Sequence, residues 1–159
     1  MIIVDKKGSP FEVNSFRSWD YPCLVAMYDV FVPKGSFQGM PPVVEEVRHK
    51  WIKGLVNVGE NFLAWQEGEV IGHVVILPDF QKRDAEYLIF VNQAARGKGV
   101  GRALTDAAIG KVKELRLKKV WLTVDAYNFR GIKLYKKAGF EMRQEGSSMT
   151  ERVMEMNMG

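Results

Sequence analysis

The segment Val91–Leu104, VNQAARGKGVGRAL, decides how this chain is read. Glycines stand at 97, 99 and 101, basic residues at 96, 98 and 102, and an apolar-periodic run follows. An ordered glycine costs about 1 kcal/mol relative to alanine. Three of them so close together mark a backbone that must turn sharply or approach another group. Upstream, AEYLIFV (85–91) has the length and apolarity of a buried strand. Downstream, Ala103, Leu104, Ala107, Ala108, Val112 and Leu115 recur at helical spacing. A glycine bend between strand and helix gathers free N–H groups and the positive end of a helix dipole, which suits phosphate. The competing reading is a tight turn with incidental basic neighbours.

Working outward, FEVNSF (11–16) alternates like a strand, SWDYPCLVAMYDVF (18–31) reads as a helix, and VPKGSFQGMPP (32–42) must be a loop. VVEEVRHKWIKGL (43–55) returns to helical spacing. NFLAWQ (61–66) and VIGHVVIL (70–77) form a hairpin across a glycine turn. KVWLTVDA (119–126) reads as a buried strand, NFRGIKLYKKAG (128–139) as a capped helix, and FEMRQE with ERVMEMNM as a closing antiparallel pair. The order β-α-α-β-β-β-α-β-α-β-β predicts an α/β (α+β) fold, a mixed central sheet flanked by helices, spanning 1–159 as one domain.

Composition, 47% hydrophobic and 26% charged, is that of a globular protein. The one cysteine, Cys23, excludes an internal disulfide framework. The opening MIIVDKKGSPFEV lacks a signal-peptide pattern, and no apolar stretch is long enough for a bilayer, so the expectation is a cytoplasmic chain with no membrane partner. Residues 1–79 carry seven basic and ten acidic residues, residues 80–159 sixteen and nine. A basic half built around a glycine bend points to an anionic ligand. The Lys133, Lys136 and Lys137 face has no interleaved aromatics to stack bases, which argues against nucleic acid. His49 and His73 lack partners at ligand spacing, so no metal is expected, and His73 reads as an ordinary strand residue.

Three phosphate-binding patterns compete at the bend. The P-loop pattern fails because Lys98 is followed by Gly99. A dinucleotide fingerprint starts at Gly97 and Gly99 but meets Arg102 where its third glycine belongs, and it stays open as a minor reading. The pattern R-x-x-G-x-G is met in full by Arg96, Gly99 and Gly101. With NFRGIKLYKKAGF (128–140), which looks like N-x-x-A-x-x-L-Y-x-x-x-G-F, the chain resembles the GNAT superfamily of acetyl-CoA-dependent N-acetyltransferases. The resemblance covers about residues 61–140. Gly131 stands where that helix usually has alanine, and Thr123 where the ribosomal-protein branch carries a glutamate base.

The resemblance implies acetyl-CoA as cosubstrate, with Gly97, Lys98, Gly99, Val100, Gly101 and Arg102, rimmed by Arg96, holding its diphosphate. Backbone groups of Ile89, Phe90 and Val91 would pair with the pantetheine arm, and Asn128 would join the site. Tyr135 matches the family's catalytic acid, and Glu86, opening the strand before the bend, resembles the base of the bacterial protein-lysine acetyltransferase branch; a water chain is the alternative base. The expected activity is transfer of acetyl to a primary amine, on a small molecule or a protein, by direct attack in a ternary complex. An acyl-CoA-binding sensor domain is the alternative, and a homodimer is left open. For the acceptor, the sequence offers Trp19, Asp20, Phe31, Phe37, Met40, Glu45 and Glu46 without naming a substrate.

Overall fold

Alternating and continuous apolar runs become strands here, and 3.6-periodic runs become helices laid across them. The computed structural model describes residues 2–35 and 39–159. Its elements are β1 (Ile2–Val4), β2 (Pro10–Ser15), α1 (Tyr21–Val30), α2 (Glu45–Val58), β3 (Glu60–Gln66), β4 (Glu69–Asp79) and β5 (Asp84–Val91), followed by α3 (Val100–Glu114), β6 (Lys119–Asp125), α4 (Phe129–Ala138), β7 (Glu141–Arg143) and β8 (Glu151–Asn157). Short 3-10 turns precede α1 and follow β5. The expected order holds, with one addition. β1 was not anticipated: three residues before a turn are too few to show a period, yet they pair with β2 from Ile2↔Glu12 to Val4↔Pro10.

All eight strands form one sheet in the order β1-β2-β3-β4-β5-β6-β8-β7. Neighbours are antiparallel except β5 and β6, which α3 connects as a parallel crossover. The sheet has apolar cover on both faces. Ala85, Tyr87, Leu104, Ala108, Val112 and Tyr135 belong to the core beneath α3 and α4. Leu24, Tyr28, Ile52, Leu63 and Phe90 belong to a second core beneath α1 and α2. Burial on both sides explains why β4 reads as a nearly unbroken apolar run. Among the described residues, no helix is long and apolar enough to cross a membrane.

His73 departs from the expected ordinary strand residue. It lies fully buried on β4 in a directed chain of hydrogen bonds. Asn61 Nδ2 donates to Leu55 O and Gly59 O, both at 3.0 Å, so its Oδ1 is free to accept. That oxygen receives the His73 Nε2–H at 2.7 Å, and the remaining ring nitrogen, Nδ1, receives the Tyr28 hydroxyl at 2.6 Å. The chain ties α1, β3 and β4 to the end of α2 and keeps the imidazole neutral. The sequence carried no sign of it because its members are spread over more than forty positions.

Arg48, also buried, clamps the same side. Its Nη2 donates to Asp29 Oδ1 at 2.7 Å and its Nη1 to Val43 O at 2.9 Å, fastening the end of the long loop to α1.

Burial pushes the His73 pKa down from 6.5 to about 3. The unfolded chain therefore takes up a proton between these values that the folded chain refuses, and stability falls as pH drops through that window. We expect His73→Gln to lose roughly 1–3 kcal/mol at pH 7.5. Its deficit against the wild type should shrink by about 2 kcal/mol by pH 5, because the variant lacks this proton uptake. Urea unfolding at the two pH values measures both quantities, and a constant gap would contradict the neutral-histidine assignment.

Candidate active site

β5 and β6 share only three rungs, Asp84↔Lys119, Ala85↔Val120 and Glu86↔Trp121. Beyond Glu86 the strands part, while β5 stays paired with β4 as far as Val91↔Gly72 and β6 stays paired with β8 as far as Asp125↔Glu151. The open edge of β5 can be read rung by rung. Asn92 N–H donates to Ile71 O at 2.9 Å, and antiparallel pairing alternates from there. Phe90 and Leu88 thus spend their main-chain groups on His73 and Val75 of β4, whereas Ile89 and Val91 turn theirs toward the split. This revises the expectation for Phe90, whose backbone is already paired. Val91 O accepts from Arg96 Nε at 2.9 Å. The N–H and C=O of Ile89 and the N–H of Val91 remain for something else.

At the upper end of the split lies the bend. Gly97 and Gly99 have φ of +77° and +96°, which only glycine adopts without strain, and Gly99 caps α3. Gly101 serves packing instead: a Cβ there would meet Leu134 Cδ2 of α4 at 3.2 Å. Gly72 of β4 completes the set, since a Cβ would sit 2.7 Å from Leu104 Cδ1 and 3.4 Å from Val100 Cγ1 and force those α3 side chains to shift. From Arg96 to Arg102 no main-chain N–H donates to an acceptor among the described residues. Those unused donors run into the N-terminus of α3.

The basic residues divide in a way the sequence could not show. Arg96 lies over the Phe31 ring at 5.3 Å and donates Nη2 to Val32 O at 2.6 Å, so its guanidinium is engaged with the chain itself. Arg102 bonds Asp106 at 3.1 Å and caps the Lys137 carbonyl at 3.1 Å. Lys98 is held through its main chain, its carbonyl accepting from Lys6 N–H at 3.0 Å. Arg130, which the sequence reading passed over, reaches from α4 to the bend: its Nη2 stands 3.9 Å from where a Cβ at Gly97 would lie.

Tyr135, on the buried face of α4, packs edge-on against Tyr87 at 5.8 Å and Phe140 at 6.0 Å. Burial pushes its pKa up to about 12, and its hydroxyl has no hydrogen-bond partner among the described residues. Tyr87 is locked by a second chain the sequence did not reveal. Thr105 Oγ1 donates to Gly101 O at 2.7 Å and so accepts from the Tyr87 hydroxyl at 2.6 Å. Asn128 caps α4, its Oδ1 accepting the Gly131 N–H at 2.9 Å. A Cβ at residue 131 would crowd that amide at 2.7 Å, which gives Gly131 a local reason.

Glu86 occupies the last β5–β6 rung, on the sheet face opposite Tyr87. Burial raises its pKa. It opens onto a recess of about 310 Å³ shared with Leu77, Asp79, Lys82, Asp84, Trp121 and Arg143. Of the residues expected near the acceptor, Phe31 is buried and Asp20 is turned inward, accepting the Arg17 N–H at 2.8 Å. Trp19 is 70% exposed beside Arg17, Glu45 and Glu46 lie in the first turn of α2, Met40 is half-buried, and Phe37 lies outside the described residues.

A sheet split beside a bare helix N-terminus, with a tyrosine on one face and a carboxylate on the other, defines a class of acyl-transfer fold. The chain belongs to the acetyltransferase (GNAT) family, whose model matches residues 24–140. A mycothiol acetyltransferase of Propionibacterium freudenreichii is 39% identical over 134 residues, 82% of this chain and 43% of that protein. The L-amino acid N-acetyltransferase AaaT of Escherichia coli is 32% identical over 112 residues, 65% of this chain and 68% of that one. The chain spans less than half the length of the mycothiol acetyltransferases it matches. The GNAT domain of S. lividans PAT superposes with a TM-score of 0.82 at 19% identity, covering 99% of this chain and 96% of that one. yncA of Salmonella typhimurium, solved with its cofactor acetyl-CoA, gives 0.73 at 16%, covering 94% of each. At such identities these two likenesses concern the fold.

The two kinds of glycine should separate on substitution. Gly99→Ala, with open space around it but a left-handed backbone, should cost about 1 kcal/mol. Gly72→Ala, with an ordinary backbone but a clash against α3, should cost roughly 1–3 kcal/mol. Denaturant midpoints of the two variants check the order.

Proposed function

We propose that this chain transfers an acetyl group from acetyl-CoA to a primary amine by direct attack within a ternary complex. The observation that carries the reading is the β5–β6 split, bounded by unpaired N–H groups at the bend and by Glu86 at its last rung. The free N–H groups of residues 97–102 suit the coenzyme's diphosphate. The exposed main chain of Ile89 and Val91 suits an amide-bearing arm lying along β5 as an added strand. Ile89 N–H then faces the thioester oxygen and stabilises the negative charge that collects there during attack.

Glu86 takes the amine's proton, directly or through water. Its raised pKa makes it a better acceptor than an exposed glutamate, yet the carboxyl must be ionised to act, so the rate falls as pH drops through that pKa. Tyr135 keeps its proton at neutral pH, its pKa being about 12. Facing a departing thiolate whose conjugate acid has pKa about 8.5, it serves chiefly by donating a hydrogen bond, since full transfer is uphill. The acceptor enters from the recess beside Glu86, where Asp79 and Asp84 are offset by Lys82 and Arg143, so the lining sets no charge preference of its own. The first compounds to try are the amino acids named for the Escherichia coli relative and the polyamines named for a spermine/spermidine N(1)-acetyltransferase of Bacillus subtilis, 26% identical over 98 residues.

The test is release of CoA thiol from acetyl-CoA across amino acids, polyamines and lysine peptides. Tyr135→Phe should lower kcat roughly 10²–10³-fold with little change in coenzyme affinity. Glu86→Gln should lower kcat by roughly 10²-fold or more and abolish the acid limb of the pH–rate profile. Acetyl-CoA binding without turnover of any amine would overturn the transferase reading.

A further inference from the structure

We infer that Arg130 of α4, rather than Arg96 or Arg102, is the side chain that closes on the coenzyme's diphosphate opposite the bend. The inference rests on the acetyl-CoA reading above and concerns the same site. Its first support is an inventory of charge. Arg96 is committed to two main-chain carbonyls and the Phe31 ring, and Arg102 to Asp106 and the end of α4, whereas Lys98 makes no ion pair among the described residues. Arg130 has no acidic partner among the described residues.

Its second support is position. The guanidinium lies beside Gly97, with Nη2 at 3.9 Å from the missing Cβ, within the bend whose main-chain N–H groups are unused. Two like charges, Arg96 and Arg130, stand near enough to repel each other. An anion seated on the bend removes that repulsion and gives Arg130 the forked, charge-assisted contact its planar head is built for. Because Arg130 is exposed in the first turn of α4, it can swing onto a ligand without disturbing the Asn128 cap beside it.

Acetyl-CoA and S-acetylpantetheine, which shares the thioester and arm but lacks the diphosphate, separate this role from a structural one. Arg130→Ala should raise the Kd for acetyl-CoA roughly ten- to hundredfold. Arg130→Lys should recover part of the loss. Transfer from S-acetylpantetheine should keep its kcat/KM, and the ligand-free Tm of both variants should match the wild type. Unchanged acetyl-CoA affinity in Arg130→Ala, or an equal loss with S-acetylpantetheine, overturns the assignment. A wild-type protein that binds neither compound overturns the acetyltransferase reading and this assignment with it.

Discussion

The early end of the β5–β6 ladder is the constraint on which the site depends. A buried main-chain N–H or C=O without a partner costs roughly 1–3 kcal/mol, so a sheet does not open along its middle without cause. Here β8 holds β6 over seven rungs and β4 holds β5 over eight. Each parted strand is thus fixed by its outer neighbour and cannot relax inward. On the α3–α4 face, the rings of Tyr87, Tyr135 and Phe140 fill the space beside the opening. Among the described residues, Val91 O is satisfied by the chain itself, through Arg96. The groups left at Ile89 and Val91 form an unfinished rung that another extended, amide-bearing molecule can complete.

This arrangement also divides the acid from the base. Residues on β5 alternate between faces, so Tyr87 meets α3 and α4 while Glu86 meets the recess on the far side. Tyr135 packs on one face of the sheet and Glu86 lies on the other, and burial raises the pKa of both, with opposite uses in the proposed reaction. A phenol with raised pKa holds its proton and donates; a carboxyl with raised pKa takes one more readily. On the proposed reading, burial on the two faces of the sheet thus prepares the hydrogen-bond donor and the base separately.

Much of this was legible in one dimension. The bend, the helix after it and the second motif from Asn128 to Phe140 carry local signals: glycine spacing, 3.6 periodicity and a capped helix end. The element order followed from them. The sequence could not show that Phe90 is paired and Ile89 is not, because rung assignment depends on register with β4. Nor could it show that Arg96 and Arg102 are occupied by their own chain while Arg130, thirty positions on, is uncommitted. Charge is additive along a sequence, but its availability is settled by carbonyls and carboxylates brought in from elsewhere. β1 escaped for a simpler reason, being shorter than one alternation that could be recognised.

Rigidity beneath the open edge links the buried histidine to the chemistry. Phe90 is paired through its main chain with His73 and packed through its ring against Tyr28, Phe31 and Trp51. His73 is in turn held at both ring nitrogens, by Tyr28 and Asn61. The residue on one side of Ile89 is thereby fixed through backbone and side chain alike. Hydrogen-bond donors stabilise developing charge best when they need not reorganise during the reaction. In the proposed reaction the Ile89 N–H would meet that condition, because the strand carrying it is anchored one residue away to a buried network. On that reading the neutral histidine's contribution is to keep an unpaired amide aimed.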